Sequence, residues 1–285
     1  MLHMTSRYVT ATTAQLRADG FSRSAIASAV RASAIIRARR GVYLPGDTPD
    51  VIVRSVRVGG RLTCLSLLAL LGVFVTSNSK LHVHMQRSAS RMRSPHDRHK
   101  PLESPPSRGV RLHWLRTSEV PHQNSTTVEI VDALTHSVLC QGPRAAIATL
   151  DSALHLGLIT LPQLALVFAC LPGKYLVLRP LVDGRAESGP ETLMRLMLRS
   201  LGCSVELQVT IAGVGRVDLV VDGWLVIECD SKAFHSGWEK QQADRTRDQL
   251  LAAQGYTPLR ATADDILHNP EQVLAAVKGL LGAHG

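Results

Sequence analysis

Residues 217–230, VDLVVDGWLVIECD, constrain the fold more than any other stretch of the chain. VDLVV and WLVIE are rich in β-branched and apolar residues and read as strands. Asp222-Gly223 between them is the dipeptide that a two-residue hairpin turn favours, because both central residues need positive φ. Three carboxylates sit in this apolar setting. Asp218 stands on the first strand; Glu228 and Asp230 stand on the second, two apart, so both project from one face. A short hairpin brings Asp218 near that pair. Converging carboxylates repel one another unless a cation holds them, and hard oxygen donors suit Mg²⁺ or Mn²⁺. An acidic hairpin with solvated carboxylates is the bland alternative, and a strand as apolar as LVIECD argues against it.

The flanking segments add to the pattern. SGPETLMRLMLRSLGC reads as a helix with Ser188 as N-cap and Pro190 just inside the first turn. Glu191 follows Ser188 by three residues, so a capping box is its structural explanation. Downstream, His235 follows the carboxylates and has a titration range suited to acid/base work, although a lone histidine is more often structural. Arg245 and Arg247 share one helical segment. They would clamp a phosphate or pair with Asp244, Asp248 and the site carboxylates.

The order Asp, nine residues, Glu, one residue, Asp, preceded by a helical Glu, resembles the metal-dependent nuclease pattern PD-(D/E)xK. IECDSKAFH followed by ADRTRDQLLAAQGYTPLRATADDIL is similar to the nuclease domain of the very-short-patch mismatch-repair endonuclease family, over about residues 187–277. The matching positions are Glu191, Asp218, Glu228, Asp230, His235, Asp244, Arg245, Arg247, Gly255, Tyr256 and Arg260. The resemblance implies catalytic roles for Asp218, Glu228, Asp230, His235 and Glu191. It implies Mg²⁺ or Mn²⁺ on Asp218, Glu228 and Asp230, polarising a phosphodiester and helping to form the nucleophile. Two positions depart from the family. Ser231 replaces its usual Gly, and Asp230 fills the Lys slot of the broader pattern, with Lys232 two positions on.

The front of the chain has a different character. Residues 1–80 carry 11 Lys/Arg against 3 Asp/Glu, whereas residues 181–285 carry 10 against 14, within a chain of net charge +9. Thr10 to Arg17 looks helical. SRSAIASAVRAS is a second helix capped by Ser22, and IIRARRGVYL is a basic hairpin broken at Arg40-Gly41. Helix, turn, helix and wing is the order of a winged helix-turn-helix, whose second helix enters the major groove. Arg23, Arg31, Arg37, Arg39 and Arg40 are the candidate phosphate contacts; a small helical cap with solvated arginines is the alternative. TAQLRADGFSRSAIASAVRAS with RARRGVYL is similar to the winged-helix domain of AbiEi-type antitoxins over about residues 5–85. That resemblance implies a DNA-binding repressor and a cognate toxin encoded nearby.

Between these ends, 61–75 reads as one apolar helix. LHVHM (81–85) reads as a strand whose His82 and His84 share a face, able to bind metal but more simply a polar strand face. Residues 86–109 form a Pro/Ser-rich basic loop with six Lys/Arg. VRLHWL (110–115) is a strand, and 126–171 holds two or three packed helices in which Asp132 and Asp151 are structural. Five scattered cysteines without a CxxC pair argue against a disulfide framework and a cysteine-rich zinc site. The first 20 residues lack an apolar signal core, and the longest apolar stretch is too short to span a bilayer, so a cytoplasmic protein is expected.

The expected fold is α/β (α+β) in three parts. Residues 1–85 form a winged-helix DNA-binding module, 86–180 a basic loop and helical connection, and 181–285 an endonuclease-like mixed sheet flanked by helices. The expected function is a DNA-binding, divalent-metal-dependent endonuclease acting on double-stranded DNA in defence or repair. The alternative is a non-catalytic AbiEi-like antitoxin and transcriptional repressor that keeps the nuclease fold as a scaffold.

Overall fold

A computed structural model describes residues 8–105, 107, 109–118, 122–230 and 238–284, the last span without the side chains of 238–241. Ser231, Lys232 and His235 lie outside the described residues. The chain divides into two compact units. One comprises residues 1–141 and 158–176, the other 142–157 and 177–285. The segment expected to connect two modules, 86–180, is therefore shared between the units.

The first unit opens with two capped helices. Thr12 caps α1 (Thr13–Ala18) and Ser22 caps α2 (Arg23–Arg31), each side-chain oxygen accepting the N–H three residues on. A hairpin follows, β2 (Ile35–Arg39) and β3 (Val42–Pro45), turning at Gly41 with φ 73°. β1 (Ala11–Thr12) pairs with β3, giving the order β1-β3-β2. The elements expected at the front of the chain thus occur in the expected sequence.

α3 (Asp50–Val58) buries Ile52, Val53, Val56 and Val58 and ends at Gly59, whose φ of 112° supplies the left-handed C-cap. The single helix expected over 61–75 is not what forms. Arg61–Leu62 is instead strand β4, paired antiparallel with β5 (Leu81–His84), and only Cys64–Leu70 is helix α4. Leu62 also exchanges backbone hydrogen bonds with Thr126 and Val128, at 2.8 and 3.1 Å. Those partners draw it out of any helix. β6 (Val110–His113) runs parallel to β5 and completes the order β4-β5-β6. α5 (Ile130–Cys140) packs on α4, and α7 (Leu161–Ala169) packs on α5.

The second unit is a four-stranded mixed sheet. β7 (Val205–Ile211), β8 (Gly215–Val221) and β9 (Leu225–Asp230) form an antiparallel meander, and β10 (Thr257–Thr262) adds parallel to β9 in the order β10-β9-β8-β7. A parallel neighbour requires a crossover, which α9 (Trp238–Ala253) supplies. The β8–β9 turn is the one the sequence predicts. Asp222 and Gly223 take φ of 49° and 79°, and the Trp224 N–H reaches the Val221 carbonyl at 3.1 Å.

On one face Leu207, Leu219 and Ile227 pack with Met194, Met197 and Leu198 of α8 (Gly189–Ser200), Ile266 of α10 (Ala263–His268) and Val273 and Val277 of α11 (Pro270–His284). On the other, Val220 and Val226 pack with Leu251 of α9.

α6 (Pro143–His155) belongs to this unit and packs on α8. It contributes Asp151, which is fully buried and pairs with the buried Arg195 at 2.8 Å. Asp151 also accepts the Asp183 N–H at 2.7 Å and the Thr192 hydroxyl at 2.9 Å. Its structural role is to satisfy a cation inside the core.

Candidate active site

The sheet register builds the carboxylate site. β8 and β9 pair Leu219 with Ile227, so one further step sets Asp218 opposite Glu228, and β9 and β10 pair Glu228 with Arg260. On the other side, β7 and β8 pair Leu207 with Leu219 and Val209 with Val217, skipping the intervening couple Gln208 and Asp218. Gln208 holds φ at 54°, unusual for a non-glycine residue and worth roughly 1–2 kcal/mol of backbone strain. That twist frees its side chain, whose Nε2 donates to Glu191 Oε2 at 2.8 Å. Gln208 was not singled out by sequence; nothing in VELQVTI marks it.

Glu191 is buried at 4% exposure, at the start of α8. Half of the expected capping box forms. Ser188 Oγ accepts the Glu191 N–H at 3.3 Å, but the Glu191 carboxylate accepts the N–H of Glu187, at 2.9 Å, rather than that of Ser188. Burial, with repulsion from Asp218, raises the Glu191 acid above its ordinary range. Burial likewise raises Asp218, against the pull of the Cys229 N–H that it accepts at 2.8 Å and with a push from Asp230. Glu228 rises for the same first reason, burial, and by the charge of Asp218. The three carboxyls therefore share one low-dielectric neighbourhood and oppose one another's ionisation.

Asp230 is exposed at the end of β9. Arg247 pairs with Glu228 at 2.9 Å and donates to the Arg216 carbonyl. Arg260 pairs with Asp248 at 2.9 Å, Asp244 at 3.5 Å and Asp230 at 3.8 Å. Arg245 is exposed on α9. Of the expected residues, the fold brings Glu191, Asp218, Glu228, Asp230 and Arg247 to one end of the sheet. Among the described residues, however, the acids of the hairpin do not form a group whose ligand atoms all lie within 4.8 Å of one another. The His/Cys/Asp/Glu group that meets that limit is in the first unit: Cys64, His82, His113 and Cys140.

The first unit also gathers cations. Arg37, Arg39 and Arg40 of the hairpin line a groove with Arg91, Arg93, Arg98 and His99 of the 86–109 segment. Arg39 Nη2 donates to the Arg91 carbonyl at 3.0 Å. Burial and the nearby Arg93 charge lower the proton affinity of Arg39. Arg23 and Arg31, at the two ends of α2, are exposed outside this lining.

Residues 191–281 match the model of a restriction-endonuclease-like family, REase_MTES_1575. The matched span starts at Glu191 and includes all three hairpin acids, so the second unit carries a nuclease-like domain. Over 272 aligned residues the chain is 29% identical to two proteins of Mycobacterium tuberculosis, "Uncharacterized protein MT2308" of strain CDC 1551 / Oshkosh and "Uncharacterized protein Rv2248" of strain ATCC 25618 / H37Rv. Each alignment covers 87% of this chain and 93% of the relative. No described helix is long and apolar enough to cross a membrane.

Proposed function

We propose that the chain binds double-stranded DNA through its first unit and hydrolyses phosphodiester bonds with its second, as a divalent-metal-dependent endonuclease of defence or repair. The observation that carries this reading is the row Asp218–Glu228 on adjacent strands, with the proton affinity of both acids raised, inside a span that matches a restriction-endonuclease-like family. Asp218 and Glu228 fit a cation: buried carboxyls that oppose each other's ionisation are relieved by one. Asp218, Glu228 and Asp230 would hold Mg²⁺ or Mn²⁺, which supplies Lewis-acid polarisation of the scissile phosphate. Glu191 acts through Gln208, fixing the backbone beside Asp218. Arg247 can exchange Glu228 for a phosphate oxygen. His235, if it follows the family, serves as acid/base.

The first unit supports the DNA half. Its helix, turn, helix and hairpin follow one another in the order a winged helix would need, which supports reading this unit as an AbiEi-like module. Six arginines converge on one groove, an arrangement that a polyanion relieves. Arg23 and Arg31 on α2 would meet the flanking backbone.

A second reading has its own support. Glu228 is engaged by Arg247, and the hairpin acids do not converge on one point. That favours an antitoxin-like repressor with the nuclease fold as scaffold, acting beside a toxin encoded nearby. Supercoiled-plasmid cleavage in Mg²⁺ or Mn²⁺ decides, with Asp218→Ala and Glu228→Ala alongside and gel shifts run in EDTA. Metal-dependent nicking lost in both variants supports the enzyme. Binding without nicking across varied DNA sequences, unchanged in both variants, supports the repressor.

A further inference from the structure

The cysteines and histidines of the first unit carry an inference independent of the nuclease reading. Cys64 opens α4, His82 lies on β5, His113 ends β6 and Cys140 ends α5. Four elements thus deliver one donor each, and all four donor atoms lie within 4.8 Å of one another. His82 Nδ1 is 3.1 Å from His113 Nε2, and Cys140 Sγ is 3.9 Å from the same nitrogen. A tetrahedral S₂N₂ site with Zn–N of about 2.05 Å and Zn–S of about 2.3 Å sets its nitrogens about 3.3 Å apart and sulfur from nitrogen about 3.6 Å. The side chains already stand within a few tenths of an ångström of those separations. We propose that Cys64, His82, His113 and Cys140 form a structural zinc site.

Three observations support it. Cys64, His82 and His113 are buried, and Cys140 is half-buried, so the site is closed in the way of structural rather than catalytic zinc. Cys64 holds φ at 52°, a left-handed conformation that a cysteine adopts at a cost of roughly 1–3 kcal/mol. A thiol that merely filled the core would gain nothing from that strain; a ligand aimed at a metal does. The surroundings also hold the donors in place. His136 stacks on His113 with ring centroids 5.0 Å apart, and its Nδ1 shares a 2.7 Å hydrogen bond with Thr63, next to Cys64. Ser66 Oγ accepts the His82 N–H at 3.0 Å.

The donor set selects the ion. Two thiolates neutralise a dication inside the core, and soft sulfur with imidazole prefers Zn²⁺ to the hard Mg²⁺ or Mn²⁺ of the carboxylate site. The site would tie the β4-β5-β6 sheet to α4 and α5 across gaps of 31 residues, from His82 to His113, and 27 residues, from His113 to Cys140.

Metal analysis of the full chain, purified without chelator, tests this. Zinc should be present at about one per chain, and Co²⁺ exchanged in its place should show the intense visible bands and thiolate charge transfer of a tetrahedral S₂N₂ site. Cys140→Ser and His113→Gln should each lower the zinc content at least tenfold, while Cys170→Ser and Asp218→Ala leave it unchanged. If either ligand variant fails to fold, the thiols of the unaltered chain decide, since zinc should shield Cys64 and Cys140 from alkylation and a chelator should expose them. Three results would overturn the proposal. One is failure of the chain to take up stoichiometric Zn²⁺ or Co²⁺ when reduced and supplied with excess metal. The others are zinc retained in both ligand variants and thiol reactivity indifferent to the chelator.

Discussion

Removing the Asp151 carboxylate should damage the second unit more than removing its partner Arg195, and the difference should depend on pH. Both side chains are at most 2% exposed. Asp151→Ala deletes three acceptor contacts, to Asp183, Thr192 and Arg195. It leaves a buried guanidinium that, among the described residues, keeps the Leu181 carbonyl at 2.8 Å. Arginine cannot shed its proton, so the full cost of an unpaired buried cation, about 3–5 kcal/mol, falls on the fold at any pH. Arg195→Met leaves an acid instead, and an acid can take up a proton.

Burial already pushes Asp151 up to about 6 against the pull of the Asp183 N–H and Arg195, from an ordinary 3.8. Because the folded value is the higher one, the native state holds this proton more tightly than the unfolded chain. Its contribution is complete below about 3.8 and is lost as pH rises through about 6, worth about 3 kcal/mol over that window. Arg195 pulls that value down, so without it the acid rises further and the variant loses more stability with pH than the unaltered chain does: Arg195→Met should be mild at pH 5 and severe at pH 8, whereas Asp151→Ala should be severe at both.

Amide hydrogen exchange on β8 and β9, corrected for intrinsic rates, reads this within the second unit. Asp151→Ala should speed exchange by about two to three and a half powers of ten, at about 1.4 kcal/mol per tenfold. The paired change Asp151→Leu with Arg195→Met should recover most of the protection. Protection within threefold of the unaltered chain in Asp151→Ala, or a cost of Arg195→Met that shrinks as pH rises, would refute the argument.

Three further outcomes follow from local geometry. Gly59→Ala would place a Cβ 1.7 Å from Arg39 Nη1, at a φ of 112°. It should cost at least about 1–2 kcal/mol and weaken DNA binding in gel shifts, whereas Gly72→Ala, with open space around it, should cost only the backbone strain. Gln208→Gly should leave thermal stability near that of the unaltered chain, because relief of strain offsets the lost hydrogen bonding to Glu191 and Asp218, about 1 kcal/mol per bond, while plasmid nicking falls. Gln208→Ala should lower both. For the arginine groove, Arg93→Ala with Arg98→Ala should reduce the slope of log affinity against log salt by about 2, measured by fluorescence anisotropy on duplex DNA. An unchanged slope would remove the groove from the interface.

The hairpin of the second unit was legible because each signal there is local. β-branched runs, an Asp-Gly that accepts positive φ and carboxylates two apart lie within 14 residues, 217–230. The caps at Ser22 and Ser188 were legible for the same reason. The apolar run 61–75 misled because its composition does not record that Leu62 bonds to Thr126 and Val128, more than 60 residues away. Gln208 was invisible because its conformation is imposed by neighbouring strands rather than by its own type. Least legible was the cysteine–histidine group. Its donors have none of the close spacing of a zinc motif, and scattered cysteines argued the other way. The β5–β6 pairing, the start of α4 and the end of α5 bring them together.

The path of the chain sets a limit on how this molecule can be taken apart. Residues 142–157 belong to the second unit, yet residues on both sides, 1–141 and 158–176, belong to the first. The backbone therefore passes between units three times, and no single cut yields two whole pieces. A fragment beginning at Val177 would contain the entire family-matched span and all three hairpin acids, and would look complete by that measure. It would nevertheless lack α6, leaving Arg195 in the core without Asp151. Any transplant of the nuclease-like unit has to carry that helix as a separate inserted segment, and any ancestral joining of the two parts has to be sought as an interleaving rather than an end-to-end splice.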